Sequence, residues 1–193
     1  MDHRQYASIT ECPPCTEVRP RQGLVTVFTG DGRGKTTAAM GTALRAAGHG
    51  LRVLVVLFMK GPDFIPGELS ALRTMPHVTV QQFGAPGWVM PGGDYTAHQH
   101  KANEALAYCA REISSGNYDV AILDEAVSAV ALGLIPPDVI TKLITTRPEG
   151  LELILTGRGA SSKLIELADL VTEMKSIKHP FERGITARAG IDY

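Results

Sequence analysis

Three observations predict an α/β fold with a mostly parallel sheet and helices on both faces. Short apolar runs alternate with stretches of helical periodicity, some of those runs are apolar at nearly every position, and glycine-rich or acidic segments follow them. Strands separated by helices pair in parallel through right-handed crossovers, so ligands gather outside their carboxyl ends. At 193 residues and 44% hydrophobic content, the chain can bury one substantial core, which makes a single domain the expectation.

In chain order, Met1 to Gln22 carries prolines and charges with little periodicity and is expected to be an N-terminal tail or lid ahead of a domain spanning 23–193. Leu24 to Phe28 is the first strand. Thr29-Gly30-Asp31-Gly32-Arg33-Gly34-Lys35-Thr36-Thr37 follows it and opens an Ala-rich helix that Gly48-His49-Gly50 stops. Leu51 to Phe58 is apolar almost throughout, as a strand buried on both faces should be. Residues 60–67 are loop by their glycines and prolines, Glu68 to Met75 a short helix, and His77 to Phe83 a strand. Gly84 to Gly93 contains the only tryptophan and too many breakers for regular structure. The remaining elements are a helix over Thr96 to Ser115, a strand over Tyr118 to Leu123, a helix over Pro137 to Thr145, a strand over Leu151 to Thr156, a helix over Ser161 to Ala168 and a strand over Leu170 to Met174.

Composition narrows the partners. The 19 Lys and Arg against 20 Asp and Glu, with no basic block, argue against nucleic acid and for a small molecule. No stretch is long and apolar enough to span a bilayer, and Met1-Asp2-His3-Arg4-Gln5 lacks a signal-peptide core, so no membrane association and a cytoplasmic location are expected. Three cysteines, an odd number, argue for a reducing compartment. Cys12-Pro13-Pro14-Cys15 has redox or metal spacing, yet no second Cys or His pair completes a zinc set. Cys109 shares a helical face with Ala102, Ala105, Leu106 and Ile113, which reads as core.

The glycine-rich stretch carries the chemistry. Gly30, Gly32 and Gly34 let the backbone curl with positive φ around an anion, Lys35 supplies a point charge and Thr36 a hydroxyl for Mg²⁺. The common pattern is Gly, four residues, Gly-Lys-Ser/Thr; here Thr29 holds the first glycine's position and Gly30 comes one step late. With its strand and helix this variant P-loop predicts a single-domain P-loop (RecA-like) fold that binds a triphosphate, against the plainer reading of a structural turn. Val120 to Leu123 is a buried strand ending in Asp124 and Glu125, which alternation sends in different directions, one to a metal and the other to packing or a neighbouring loop. In an ordinary ATPase, Glu125 is instead a base that activates water. Arg45, ten residues past Lys35, and Arg158, between two glycines, are candidate phosphate contacts. Glu68 reads either as a helix-cap carboxylate or as a site acid, and His49 and His179 as structural or solvated.

Together with Lys60-Gly61, Gly67-Glu68, Thr156-Gly157-Arg158-Gly159, Glu166 to Asp169, Lys178-His179 and the closing Gly190-Ile191-Asp192-Tyr193, these motifs resemble the P-loop ATP:corrinoid adenosyltransferases from about Gly23 onward. The resemblance implies transfer of the 5′-deoxyadenosyl group of ATP to the Co(I) of a corrinoid, cobalamin or cobyrinic acid a,c-diamide, with release of triphosphate, in adenosylcobalamin biosynthesis or corrinoid salvage. It also implies Mg²⁺ or Mn²⁺, a homodimer and a cobalt-reducing flavoprotein or similar reductant. By position, Gly30, Asp31, Gly32, Arg33, Gly34, Lys35, Thr36 and Thr37 would bind ATP, with Arg45 and Arg158 neutralising charge and Thr36 and Glu125 holding the metal. Asp31 stands where relatives often have asparagine. Trp88, with Met90 or Phe83, would line the corrin's lower face, Met90 occupying the place of an expected second aromatic; Glu68 and Asp124 are possible additional site residues. Two rivals are a P-loop ATPase or kinase, which yields ADP, and a non-catalytic corrinoid or nucleotide carrier.

Overall fold

Strand alternation divides the core into two apolar layers on either side of one sheet. The structure, a computed structural model, describes residues 22–64, 66–87, 89 and 92–193. In chain order the elements are β1 (Val25–Thr29), α1 (Lys35–Gly48), β2 (Val53–Leu57), α2 (Gly67–Thr74), β3 (Val78–Gln82), α3 (Thr96–Ser114), β4 (Val120–Asp124), α4 (Ala126–Ala131), α5 (Pro137–Thr146), β5 (Glu152–Thr156), α6 (Ser162–Leu167) and β6 (Leu170–Glu173). A 3-10 turn at Pro180–Arg183 follows. The strands form one sheet in the order β3-β2-β4-β5-β1-β6, and every neighbouring pair is parallel. The predicted α/β P-loop architecture is therefore the observed one.

On β2, Leu54 and Val56 join one layer while Val53, Val55 and Leu57 join the other; on β4, Ala121 and Leu123 separate from Val120 and Ile122 in the same way. The first layer packs beneath α3, α4, α5 and α6. The second is closed by α1 and α2, where Ala39, Ala43, Ala46 and Ala47 bring α1 close to the sheet. Because α1 leaves β1 and crosses β5 and β4 to reach β2, its N-terminus sits over the centre of the sheet. Parallel pairing then gathers the P-loop and the ends of β2, β4 and β5 on one edge.

One helix departs from the sequence reading, and one strand adds a detail to it. Helix α4 is added directly after β4, and its six residues are too short to display a period. Strand β6 forms as expected but lies at the sheet edge with all its residues exposed. Cys109 is buried in the core, and burial pushes its thiol pKa up, as an inert packing residue requires. Cys12 and Cys15 lie outside the described residues. Among the described residues no helix is long and apolar enough to cross a membrane.

Ile122 is fully buried at the centre of the sheet beneath α1. Ile122→Ala is expected to destabilise the protein by about 2–5 kcal/mol, read as a lower urea midpoint at unchanged m-value.

Candidate active site

The P-loop is held from inside and outside. Gly30 and Gly34 have φ of 97° and 116°, the left-handed region that glycine enters without strain. Gly32 does not, which corrects the expectation that all three glycines serve backbone curvature. A Cβ there would stand 2.7 Å from the Lys175 carbonyl carbon, and its N–H donates to the Met174 carbonyl at 2.6 Å. The middle glycine therefore admits the chain that follows β6. From inside, buried Lys35 donates through Nζ to the carbonyls of Gly30 at 2.7 Å and Gly32 at 2.8 Å. Burial, followed by the nearby Arg158 charge, holds the Lys35 pKa below its ordinary value.

At the end of β4, alternation places Asp124 in phase with Val120 and Ile122, on the α1 face. Its carboxylate is fully buried. Oδ1 accepts from the Thr156 hydroxyl at 2.7 Å, while Oδ2 has no hydrogen bond of good geometry. Burial and then the adjacent Glu125 charge push the Asp124 pKa up to about 6, opposed by Thr156, Lys60 and the Thr36 hydroxyl. Glu125 leaves the strand with φ 61°, its N–H donating to Thr156 Oγ1 at 2.9 Å, and its side chain borders the cleft. The two acids thus approach from different directions, Asp124 from the floor beside Thr36 and Glu125 from the rim.

Between these elements lies an open cavity of about 1190 Å³. Asp31, Gly32, Arg33, Gly34, Lys35, Thr36, Thr37, Glu125 and Arg158 all line it, as the sequence reading expects of a shared rim. Arg158 is placed by its N–H, which donates to Ser128 Oγ at 2.8 Å; a Cβ on Gly157 would come within 2.3 Å of the Ser128 nitrogen. Lys60, Ser128 and the wall from Lys175 to Ala187 are site elements that the reading missed as such. Lys60 was visible as part of a family motif and in a loop that follows a strand onto this rim, Ser128 sits in the unrecognised α4, and of the wall only Lys178-His179 was visible, as a family motif. His179 also borders the cavity, and its Nδ1 accepts from the Phe181 N–H at 3.2 Å, a cap on the 3-10 turn.

Three expected site residues are not brought here. Arg45 is exposed in the last turn of α1, and ten residues of helical rise carry it about 15 Å from Lys35. Phe83 packs on the core with its ring 5.5 Å from that of Tyr108, outside the cavity lining. Glu68 lies in the first turn of α2, also outside it, where a carboxylate complements the helix N-terminus. Trp88 and Met90 lie outside the described residues, although Gly87 and Val89 line the cavity.

A buried carboxylate, a phosphate loop and a ring of cations at the carboxyl edge of a parallel sheet define a P-loop nucleotide-binding protein. A solved KaiC-like protein from Pyrococcus horikoshii shares the fold, with a TM-score of 0.53 at 17% identity over 79% of this chain and 73% of that one. The family model described as ATP:corrinoid adenosyltransferase BtuR/CobO/CobP matches residues 21–193. The corrinoid adenosyltransferase of Escherichia coli K12 is 37% identical over 92% of this chain and 89% of its own length. Those of Salmonella typhimurium and Pseudomonas aeruginosa are 36% and 33% identical over 92% of this chain, and over 89% and 87% of theirs. The chain belongs to the ATP:corrinoid adenosyltransferase family.

The Asp124 pKa makes one consequence measurable. Since the folded protein holds this proton up to about pH 6 and the unfolded chain releases it near 3.8, the native state binds more protons between those values. Stability of the ligand-free protein should therefore fall across that interval, by about 3 kcal/mol. Asp124→Asn should remove the fall and raise the ligand-free Tm at pH 7 while abolishing turnover; thermal melts from pH 4 to 7 check the first part.

Proposed function

We propose that the chain transfers the 5′-deoxyadenosyl group of ATP to the Co(I) centre of a corrinoid substrate and releases inorganic triphosphate. Membership of the adenosyltransferase family over residues 21–193 carries this reading, and the cavity supports it. At about 1190 Å³ it exceeds the roughly 300–1000 Å³ of an ordinary small-molecule pocket, which leaves room beside a nucleotide for a second, larger substrate.

The chemistry asks little nucleophilicity of the protein. Co(I) attacks C5′ with its own electron pair, the Co–C bond forms as the C5′–O bond breaks, and the bonding electrons leave with the triphosphate. What the chain must do is hold the reactants in line and stabilise the leaving anion. Lys35 exchanges its bonds to the Gly30 and Gly32 carbonyls for phosphate oxygens, so the loop loses an internal brace as it gains a ligand. Arg33, Lys60 and Arg158 border the same space and add positive charge, Gly30 to Thr37 supply the cradle, and Asp31 is exposed at its mouth.

The residues fit a divalent cation. Asp124 Oδ2 is buried and unpartnered beside the Thr36 hydroxyl, with Glu125 on the rim. Asp124 and Thr36 would hold Mg²⁺, Glu125 completing the set directly or through water; this moves the principal carboxylate from Glu125 to Asp124. Among the described residues no group of three or more His, Cys, Asp or Glu forms a metal cage, which suits an ion that takes its remaining oxygens from phosphate and water. When bound, Mg²⁺ supplies charge neutralisation to the leaving triphosphate. The homodimer, the flavoprotein-type reductant and the cytoplasmic location are proposed on the resemblance and the sequence alone.

Anaerobic incubation with Mg-ATP and chemically reduced cob(I)alamin is expected to yield adenosylcobalamin and triphosphate in equal amounts, and Lys35→Ala to abolish both. ADP and phosphate without a new cobalt–carbon bond would instead establish an ATPase, and tight binding of both ligands without products a carrier. If Trp88 serves the corrin's lower face, Trp88→Ala should lower activity much more with Co(II) plus a reductase than with preformed Co(I), and equal losses would remove it from that role.

A further inference from the structure

The outer wall of the cavity is built from a segment with no core anchor. No residue from Leu170 to Tyr193 is buried, yet residues between Lys175 and Asp192 border the P-loop side of the cleft. At its start the segment is held by the β6 ladder and by the Gly32 N–H on the Met174 carbonyl. At its far end one carboxylate makes the connection. Asp192 Oδ1 lies 2.9 Å from Arg33 Nη1, and the neighbouring Ile191 carbonyl accepts from Arg33 Nη2. Asp192 Oδ2 accepts from the Arg188 backbone N–H and from its Nε, both at 2.9 Å, while the Asp192 N–H donates to the Arg188 carbonyl at 2.8 Å.

The next residue reaches the other side of the cleft. The Tyr193 ring lies 5.7 Å from that of Phe64, over which Lys60 Nζ stands at 5.2 Å. That loop is itself pinned, because the Gln82 side-chain amide donates to the carbonyls of Lys60, Gly61 and Phe64. An isolated exposed ion pair contributes little. Here, however, a forked guanidinium contact and a self-closed turn tie the far end of the wall, which buries no residue, directly to the P-loop. Arg33 lies between two glycines, which give it no rigid support of their own.

We propose that Asp192 is a positioning residue, which orients Arg33 towards the triphosphate and closes the segment from Lys175 to Tyr193 along the P-loop. The inference rests on the reading of this cradle as the ATP site. ATP first meets a loop whose arginine is already ordered, so the entropy of placing it is not charged to binding. Asp192 acts through Arg33 and through the wall, without contact to the reacting atoms.

The test uses the full chain, with Arg33→Gln, Asp192→Asn and the double variant assayed for adenosyl transfer and for Mg-ATP binding. Asp192→Asn is expected to raise the KM for ATP about tenfold while kcat changes far less. For the KM for ATP, the double variant should be no worse than Arg33→Gln alone, because the Arg33 contact is the one link from Asp192 to both the triphosphate and the P-loop end of the wall. Limited trypsin digestion of the ligand-free protein should cut faster after Lys175, Lys178 or Arg183 in Asp192→Asn, with Mg-ATP restoring protection. An unchanged KM with unchanged cleavage, or additive losses in the double variant, overturns the proposal alone. Failure of the wild-type protein to bind Mg-ATP overturns the nucleotide reading, and the proposal with it.

Discussion

The site depends on a carboxylate buried where burial is unfavourable. Asp124 stands at the end of β4 with one oxygen held by Thr156 and the other unmatched. Such an arrangement costs stability in the ligand-free protein and persists because the surrounding strands hold it. Thr156 is well placed to do this: β5 lies between β4 and β1, so its terminal hydroxyl links the acid to the strand that launches the P-loop. The same hydroxyl receives the Glu125 N–H and fixes the left-handed turn into α4. Gly157 then lets the chain pass α4 at a distance that no side chain would allow, and Ser128 takes the Arg158 N–H. One hydrogen-bonded junction therefore sets the acid, the rim glutamate and the rim arginine together.

Much of this was legible in the sequence because it is periodic. Runs such as Val53 to Leu57 announce a strand buried on both faces, and their spacing with helices announces parallel pairing. The direction in which Asp124 faces was also within reach, since its phase with Val120 and Ile122 puts all three on one face of the sheet, the face that α1 covers. The distance of Arg45 was legible as well: in a helix that runs from Lys35 past Arg45, ten residues of rise set it at the opposite end from the P-loop.

What stayed hidden was non-local and polar. The wall after β6 buries none of its residues, and its attachment depends on pairs far apart in sequence, Gly32 with Met174 and Arg33 with Asp192. Gly32 illustrates the difficulty. Its glycine is needed for the approach of another chain segment, a reason that a motif read in isolation assigns to backbone curvature. Helix α4 was missed for a different reason, being shorter than two turns and entered through a strained Glu125 rather than a recognisable cap.

An exposed edge strand is an unusual support for a binding wall, and the chemistry accounts for it. β6 pairs with β1 alone and buries none of its side chains, so the segment it feeds is fixed near the P-loop but is not part of the core. Alkyl transfer to a bulky metal complex requires a cleft that admits two large reactants and then excludes water from the reacting carbon. A wall packed into the core would have to break apolar contacts to open. One attached by a ladder at one end and by a solvent-facing carboxylate at the other can open at the cost of a few polar contacts that water replaces. The buried parts of the site are Lys35 at the start of α1 and Asp124 and Thr156 at the ends of β4 and β5, and the outer wall is built from residues that never enter the core.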